Sequence, residues 1–250
     1  MSAPAAAAGR QRLRGTSFKQ EYSGNAAKKP VTGRQRAPSM AHDATQFVLC
    51  DQLEQDKGKY TIVLDLDETL IYAREGPLYA RPGLEDFFAT LGPMAEVVVW
   101  TAGLRAYAQA IIRNVDKTNV VQHCVYRHSK WFTGQAGYRK DPALLGRDLE
   151  RSIIIENTPD CIRGSQQNGV LVSDYEGGEF PDYTIPALCD LLVQLCQSGL
   201  TVPQFITTNQ MLVKTPVQTD VGDFIQCYTL NINNWRPGDK TRVNRDLAKK

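Results

Sequence analysis

Polar side chains follow three apolar stretches of this 250-residue chain, at the points where strands are expected to end. Asp65 and Asp67 follow the first stretch, Thr101 follows the second, and Glu156 and Asn157 follow the third. Two carboxylates at the end of a buried strand repel each other and lose hydration, so a cation or a proton must compensate them. A helix-capping turn is the simpler reading of such a pair taken alone. Together, the three strand ends predict a reaction centre.

These residue types suit the transfer of a phosphoryl group. An aspartate that attacks phosphorus forms an aspartyl-phosphate and divides one slow displacement into two easier steps; we assign this role to Asp65. Asp67 would protonate the leaving oxygen and later take a proton from the attacking water. Lys140 and Thr101 would place a positive charge and a hydroxyl donor against the phosphate oxygens, although a loop lysine and a helix-capping threonine are the simpler readings of each alone.

The same strand ends predict a metal site. Oxygen ligands from Asp65, Asp67 and Asn157 suit a hard divalent ion that keeps several of its waters, which favours Mg²⁺ over zinc. We expect Mg²⁺ to bridge the nucleophile and the phosphate.

The elements that must position these residues alternate between strands and helices. Buried strands are predicted over 61–66, 95–100, 152–156 and 169–172, and the stretch around His123 also reads as a strand. Apolar residues at helical spacing follow Pro82, begin again at Leu104, and recur before Gly199. This order predicts a doubly wound α/β domain with a mainly parallel sheet and helices on both faces, in which ligands bind beyond the carboxyl ends of the strands.

Four stretches in this order resemble the FCP/SCP-type protein phosphatases of the haloacid dehalogenase superfamily: LDLDETL (64–70), VVVWTAG (97–103), GYRKDPALLGRDL (137–149) and IIIENTPD (153–160). YARPGLEDFF (79–88) and YRHS (126–129) extend the resemblance, which covers about residues 60–200. It implies a Mg²⁺-dependent phosphatase that acts on phosphoserine or phosphothreonine in proteins. It also implies a small β insertion between the second and third motifs that shapes substrate access.

Residue roles implied by the resemblance agree with those assigned above. Asp65 is the nucleophile and Asp67 the general acid and base, while Thr101 and Lys140 contact the phosphate. The implied metal ligands are Asp65, the backbone carbonyl of Asp67, and Asn157.

The sequence departs from the family pattern at two positions. Glu156 stands where the family usually has Asp, and the additional methylene moves the carboxylate by about 1.5 Å, enough to disturb a contact behind the metal. We expect metal binding to be retained and activity to be reduced. Ser129 stands where related phosphatases often have Cys, and we expect little effect from it.

Aromatic and basic residues lie between the second and third motifs. Arg127, Trp131 and Phe132, with Tyr138 nearby, fall in a glycine-containing segment that reads as a hairpin or a loop over the site. We predict that they form the substrate entrance. Packing of Trp131 and Phe132 onto the sheet is an equally good interpretation.

Charge is distributed unevenly along the chain. Residues 1–40 have a net charge of +7 and residues 231–250 of +4, whereas the 190 residues between them have −9, against +2 for the whole chain. An acidic central part disfavours nucleic acid as a ligand of the core and favours cations or basic partners. The predicted partner is a phosphorylated protein, and the sequence leaves the oligomeric state open.

We predict three parts: a disordered basic tail over 1–40, the phosphatase-like domain over 41–200, and a mostly irregular extension over 201–250 that packs at Phe205, Phe224 and Trp235. The six scattered cysteines suggest a reducing compartment, and the longest apolar stretch is too short to predict a transmembrane segment. We expect a cytoplasmic or nuclear location. The basic start of the chain also resembles a transit peptide, so a mitochondrial location is the alternative.

A second class of function is compatible with the same residues. The family includes a mitochondrial presequence receptor, and an acidic fold of this kind could bind basic peptides with weak or no catalysis. Glu156 and the basic start of the chain favour this alternative, whereas the intact DxDxT sequence at 65–69 favours an enzyme. A small-molecule phosphatase is a third possibility.

Overall fold

The computed structural model describes residues 47–178 and 181–235. In chain order its strands are β1 (Tyr60–Leu64), β2 (Ile71–Tyr72), β3 (Tyr79–Ala80), β4 (Ala95–Trp100), β5 (Val121–Val125), β6 (Ser152–Glu156), β7 (Gly169–Leu171), β8 (Leu212–Gln218) and β9 (Phe224–Leu230). Seven of them form one sheet in the order β5-β4-β1-β6-β7-β9-β8. Only β8, at the edge, runs antiparallel to its neighbour. The predicted α/β fold with a mainly parallel sheet is confirmed.

The central strands are buried along their whole length because they consist largely of apolar, β-branched residues. Leu64 at the end of β1 pairs with Val99 in β4 and with Ile155 in β6. This register brings the carboxyl ends of the three central strands to one edge of the sheet. The polar residues that follow each strand therefore meet there.

Four α-helices are present in the described residues: α1 (Leu84–Leu91), α2 (Arg105–Val115), α3 (Thr184–Ser198) and α4 (Val202–Thr208). Apolar residues three and four positions apart give each of the first three helices one buried face, as predicted. Gly199, in the left-handed conformation at φ 68°, ends α3. Leu104 precedes α2 and is 60% exposed, so its assignment to the apolar face of that helix was wrong.

The two faces of the sheet are covered differently. All four α-helices contribute buried side chains to the core on one face, where they meet Ile62, Val97 and Ile153. On the other face, Val63, Trp100 and neighbouring residues pack against short 3₁₀ helices at Pro142–Leu145 and Pro159–Ile162. Side chains of successive strand residues point to opposite faces, which explains why one strand serves both cores.

A small two-stranded sheet is present, but in a different place from the one predicted. It consists of β2 and β3, which lie between β1 and α1. Between the second and third motifs, where the insertion was expected, the described structure has one strand, β5, and it belongs to the main sheet. Residues 126–137 contain turns but no strand. The glycines at 134 and 137 take positive φ angles in that segment and support turns instead.

The C-terminal extension is more regular than predicted. Residues 202–208 form α4, and β8 and β9 form a hairpin whose second strand joins the main sheet beside β7. Phe205 is buried, but Phe224 is 66% exposed, so its predicted packing was wrong. Trp235 donates to Asp190 in α3 through its indole nitrogen at 2.8 Å. The extension belongs to the same sheet as the predicted domain.

Parts of the predicted organisation lie outside the described residues. These are the basic tail over 1–40, the next six residues, and the basic end from 236 onwards. Within the residues that the structure describes, no helix combines the length and the hydropathy needed to span a bilayer.

Candidate active site

Two aspartates, Asp65 and Asp67, follow β1 at the edge of the sheet. The backbone N–H of Asp65 still donates to Ile155 O at 3.0 Å, so Asp65 continues the ladder with β6 and is only 6% exposed. The chain then turns, with the N–H of Leu70 donating back to Leu66 O at 2.9 Å. Glu68 takes a positive φ of 63° within this turn, which is unusual for a residue with a side chain. The turn places Asp67 beside Asp65.

Lys140 inserts its side chain between two carboxylates. Its ammonium nitrogen lies 2.6 Å from Oδ1 of Asp65 and 2.6 Å from Oε2 of Glu156. Lys140 is 1% exposed, as is Glu156. The backbone N–H of Lys140 donates to Cys161 O at 2.8 Å, which fixes the start of the side chain. We call these three residues the Asp65–Lys140–Glu156 cluster.

The pKa values of the cluster are set by burial and by the charges of one lysine between two carboxylates. Burial works to lower the pKa of Lys140, but the charges of Asp65 and Glu156 outweigh it and raise that pKa well above its ordinary value. The pKa of Glu156 is raised by burial and by the charge of Asp65, and Lys140 only partly opposes them. Lys140 is therefore charged at neutral pH, and the raised pKa of Glu156 means that a proton or a further cation is favourable in the cluster.

The site accommodates the longer side chain of Glu156. While Oε2 accepts from Lys140, Oε1 accepts from the backbone N–H groups of Asn157 and Thr158, each at 3.0 Å. Both carboxylate oxygens are therefore hydrogen-bonded although the residue is buried. The additional methylene is accommodated without leaving a charged oxygen unpaired.

Asp67 contacts one side chain that directly follows β4 and one from the first turn of α2. Thr101 Oγ1 donates to Oδ2 of Asp67 at 3.0 Å, and the Tyr107 hydroxyl donates to Oδ1. Burial and the nearby charge of Asp65 raise the pKa of Asp67, whereas these hydrogen bonds oppose the shift. A raised pKa is what a carboxyl group needs to hold a proton for a leaving group.

Thr101 lies at the site, but its hydroxyl does not point to open space. It donates to Asp67 and accepts from the backbone N–H of Gly103 at 2.9 Å. Contact between this hydroxyl and a phosphate oxygen would require it to turn away from Asp67.

Asn157 lies on the same edge, on the turn after β6. Its Oδ1 is 3.4 Å from Thr69 Oγ1 on the Asp67 turn, and its Nδ2 donates to Asp174 Oδ1 at 3.0 Å. Among residues 47–178 and 181–235, no group of three or more His, Cys, Asp and Glu side chains is arranged to hold a metal. The predicted ligands are instead carboxylate, amide and carbonyl oxygens, a donor set that fits Mg²⁺ with several retained waters.

The residues predicted to form the entrance differ in exposure. Trp131 is 6% exposed and packs edge-on against Trp100 with ring centres 5.6 Å apart, so it is a core residue, as the packing interpretation proposed. Arg127 is exposed, its Nε donates to Ala102 O at 2.7 Å, and its guanidinium lies over the Phe132 ring at 4.6 Å. Arg127 therefore lies at the surface beside the β4–α2 connection, whereas Phe132 is half-buried and packs against Trp131 and Tyr138, with ring centres 5.6 and 5.0 Å away.

Three residues at the site were missed by the sequence reasoning. Tyr107 contacts Asp67, Asp174 contacts Asn157, and the buried Arg81 donates to the backbone carbonyl of Thr69 at 3.0 Å. Tyr107 lies in the first turn of α2, directly after the Thr101 motif, and this position was the available signal. Asp174 follows β7 closely, so the rule that ligands bind beyond strand ends also applied to it.

The fold and the site define an α/β protein with a lysine-linked carboxylate cluster at the carboxyl ends of its parallel strands. A family model described as NLI interacting factor-like phosphatase matches residues 60–201, more than half of the chain. The chain belongs to this family, which confirms the resemblance to FCP/SCP-type phosphatases.

Relatives share this region at moderate identity. An uncharacterised protein of Schizosaccharomyces pombe is 30% identical over 159 residues, which cover 56% of this chain and 47% of the relative. Human carboxy-terminal domain RNA polymerase II polypeptide A small phosphatase 2 is 29% identical over 148 residues, covering 51% of this chain and 54% of the relative. Many of these curated relatives are thus matched over only about half of their length. A solved structure of Fcp1, an essential RNA polymerase II CTD phosphatase, gives a TM-score of 0.39 at 17% identity, covering 61% of this chain and 54% of that one.

Proposed function

We propose that this protein is a Mg²⁺-dependent phosphatase that hydrolyses phosphoserine or phosphothreonine in proteins through an aspartyl-phosphate on Asp65. The main support is the buried Lys140 ammonium, which lies 2.6 Å from Oδ1 of Asp65. A cation held there orients the nucleophile towards its substrate. Membership of a phosphatase family is consistent with this role.

In the first step a carboxylate oxygen of Asp65 attacks phosphorus, and the bond between phosphorus and the Ser or Thr oxygen breaks. Asp67 gives its proton to the departing oxygen, so the product leaves as a neutral alcohol. The Lys140 ammonium balances charge on the phosphoryl oxygens as the bond order at phosphorus changes. The product of this step is an aspartyl-phosphate.

In the second step water attacks the phosphorus of the aspartyl-phosphate. The now ionised Asp67 takes a proton from that water, and the bond between phosphorus and the Asp65 oxygen breaks. Inorganic phosphate leaves, Asp65 is again a carboxylate, and Asp67 is again protonated. The two aspartates thus return to their starting states.

Asp65, the backbone carbonyl of Asp67, and Asn157 would hold Mg²⁺. When bound, the ion would neutralise charge on the nucleophile and on the phosphate as they approach each other. The ion would also balance negative charge in the Asp65–Lys140–Glu156 cluster, which has two carboxyl groups and one ammonium. Asp174 supports this site by accepting from the Asn157 amide, which aims the amide oxygen away from Asp174.

The substrate class is inferred from the surface beside the site and from the relatives. Arg127 is exposed next to the Thr101 motif and is positioned to meet a phosphate or a phosphopeptide backbone. Relatives are named as small phosphatases of the RNA polymerase II carboxy-terminal domain, which supports a phosphorylated protein as the substrate class.

A direct test compares release of inorganic phosphate from a phosphoserine peptide by the wild-type protein and by Asp65→Asn, with Mg²⁺ and then with EDTA. The Asp65→Asn variant keeps the size of the side chain and removes its nucleophilic charge. We expect turnover that requires both Asp65 and Mg²⁺. Folded wild-type protein without turnover, and without a change in melting temperature on addition of Mg²⁺, would instead favour the peptide-binding alternative.

A further inference from the structure

The carboxyl group of Asp67 is held at both oxygens by one short segment of the chain. Thr101 at the end of β4 donates to Oδ2 at 3.0 Å, and Tyr107 in the first turn of α2 donates to Oδ1. The two donors are separated only by the turn that joins β4 to α2 and by the start of that helix. Two donors on one rigid segment fix the plane of the Asp67 carboxyl group.

Gly103 makes room for this arrangement. A Cβ atom added at Gly103 would lie 2.8 Å from Cδ1 of the Tyr107 ring and 3.2 Å from Thr101 Oγ1. Carbon atoms do not approach so closely, so any larger residue would push the ring away from the turn. The backbone N–H of Gly103 also donates to Thr101 Oγ1, which leaves the threonine proton directed at Asp67. The glycine thus supports both donors at once.

We propose that Tyr107 is a positioning residue that holds Asp67 in the orientation for proton transfer to the leaving group. This inference rests on the function proposed above. A carboxyl group otherwise rotates about the bond to Cβ, and proton transfer falls off steeply when donor and acceptor are misaligned. Each carboxyl oxygen has two lone pairs, so the hydrogen bonds from Tyr107 and Thr101 leave a position for the transferred proton.

Because Tyr107 acts through Asp67, its loss should matter in the first step only where the leaving oxygen needs a proton. The second step, in which Asp67 takes a proton from water, is common to all substrates, so kcat/KM, which reports the first step, is the quantity to compare. Phenyl phosphate and 4-nitrophenyl phosphate have similar shapes, but nitrophenolate is a much weaker base and leaves without protonation. We expect Tyr107→Phe to lower kcat/KM for phenyl phosphate about 10-fold, a part of the usual contribution of general acid catalysis. The kcat/KM for 4-nitrophenyl phosphate should change by less than about twofold, because its first step needs no proton from Asp67.

Tyr60→Phe is the matched control. The Tyr60 hydroxyl also donates one hydrogen bond, to Leu200 O at 2.5 Å, but Tyr60 begins β1 at the opposite end of the strand from Asp65. The control reports what loss of a tyrosine hydroxyl does to folding alone. Gly103→Ala provides a second variant, because it displaces the Tyr107 ring without removing its hydroxyl, and it should reproduce the leaving-group dependence of Tyr107→Phe.

A double-mutant cycle with Asp67→Asn completes the experiment. If Tyr107 acts through Asp67, Tyr107→Phe causes no further loss on phenyl phosphate in the Asp67→Asn background. Equal losses on the two substrates, or additive losses in the double variant, would overturn the positioning role while leaving the phosphatase assignment intact. Wild-type protein without turnover that depends on Asp65 would overturn both.

Discussion

The ammonium nitrogen of Lys140 lies 2.6 Å from Oδ1 of Asp65, and Lys140 is only 1% exposed. These two residues are 75 positions apart in the chain. An ion pair this deeply buried is costly unless both charges are well compensated, so it is better explained by chemistry than by stability. In the proposed mechanism, the pair links the nucleophile Asp65 to the charge that would stabilise the phosphoryl group.

Replacement of this lysine should affect turnover and folding together. Lys140→Met keeps an extended side chain but leaves Asp65 and Glu156 facing each other without a cation. We expect kcat to fall by more than about 100-fold. The free energy of unfolding should fall by roughly 3–5 kcal/mol, the usual effect of breaking a buried ion pair, as measured by urea denaturation.

A second variant separates the two effects. Adding Glu156→Gln to Lys140→Met removes one of the repelling charges, so it should recover part of the lost stability but none of the activity. Recovery of activity in the double variant would show that Lys140 only balances Glu156 and does not serve the reaction.

Arg81 joins the turn after β1 to two other loops. It is 1% exposed and donates to Thr69 O at 3.0 Å, to Ser173 O at 3.1 Å and to Asp182 Oδ2 at 3.0 Å. Arg81→Met removes these bonds and leaves Asp182 without its cation. We expect a loss of roughly 3–5 kcal/mol in the free energy of unfolding. Lys57→Met, at the exposed pair with Glu54, is the control, and a similar loss there would contradict the special role of Arg81.

Glu96 should contribute stability that disappears in acid. Burial works to raise the pKa of Glu96, but hydrogen bonds from His123, Arg147 and Thr61 outweigh it and lower that pKa to about 2 from an ordinary 4.5. Because the pKa of Glu96 is lower in the folded than in the unfolded protein, its contribution to the free energy of unfolding is complete above pH 4.5. That contribution is lost as the pH falls from about 4.5 to about 2.

Glu96→Gln should therefore lower the free energy of unfolding at pH 7 by about 3 kcal/mol and flatten its dependence on pH between 4.5 and 2. Urea denaturation at a series of pH values measures both effects. Glu54→Gln is the control, because Glu54 pairs with Lys57 at an exposed site. An unchanged pH dependence in Glu96→Gln would contradict the assignment.

The hairpin of β8 and β9 allows a comparison within one strand. Cys227 is fully buried in the core of the second face, whereas Phe224 is 66% exposed. Cys227→Asp should lower the free energy of unfolding by more than about 2 kcal/mol, because it buries a charge without a partner. Phe224→Asp should change it much less. The opposite order, by urea denaturation, would show that the hairpin does not pack as described.

The central fold could be predicted from the sequence because β1, β4 and β6 are continuous apolar stretches. The hairpin could not be predicted in the same way. In β8 a lysine and a proline interrupt the pattern, and much of the strand is exposed at the edge of the sheet, where packing places few demands on side chains. The small sheet of β2 and β3 was misplaced because strands of two residues carry too little pattern.

The candidate site could be predicted where residues follow strands directly, as Asp65 and Asn157 do. Contacts to these residues from side chains on other helices, strands and loops could not be predicted. The sequence does not show that Thr101 donates to Asp67, or that Tyr107 reaches the same carboxyl group from a helix. The contact between Glu156 and Lys140 depends on the course of the loop before β6, which no local pattern specifies.

The central claim is that phosphate is transferred to Asp65 during turnover. The most direct measurement quenches the protein in acid during turnover of a radiolabelled phosphoserine peptide, reduces any acyl phosphate with borohydride, and maps the modified residue by mass spectrometry. The account predicts protein-bound label in the wild type and conversion of Asp65 to homoserine, with neither in Asp65→Asn. Turnover without protein-bound label, or modification at another residue, would contradict it.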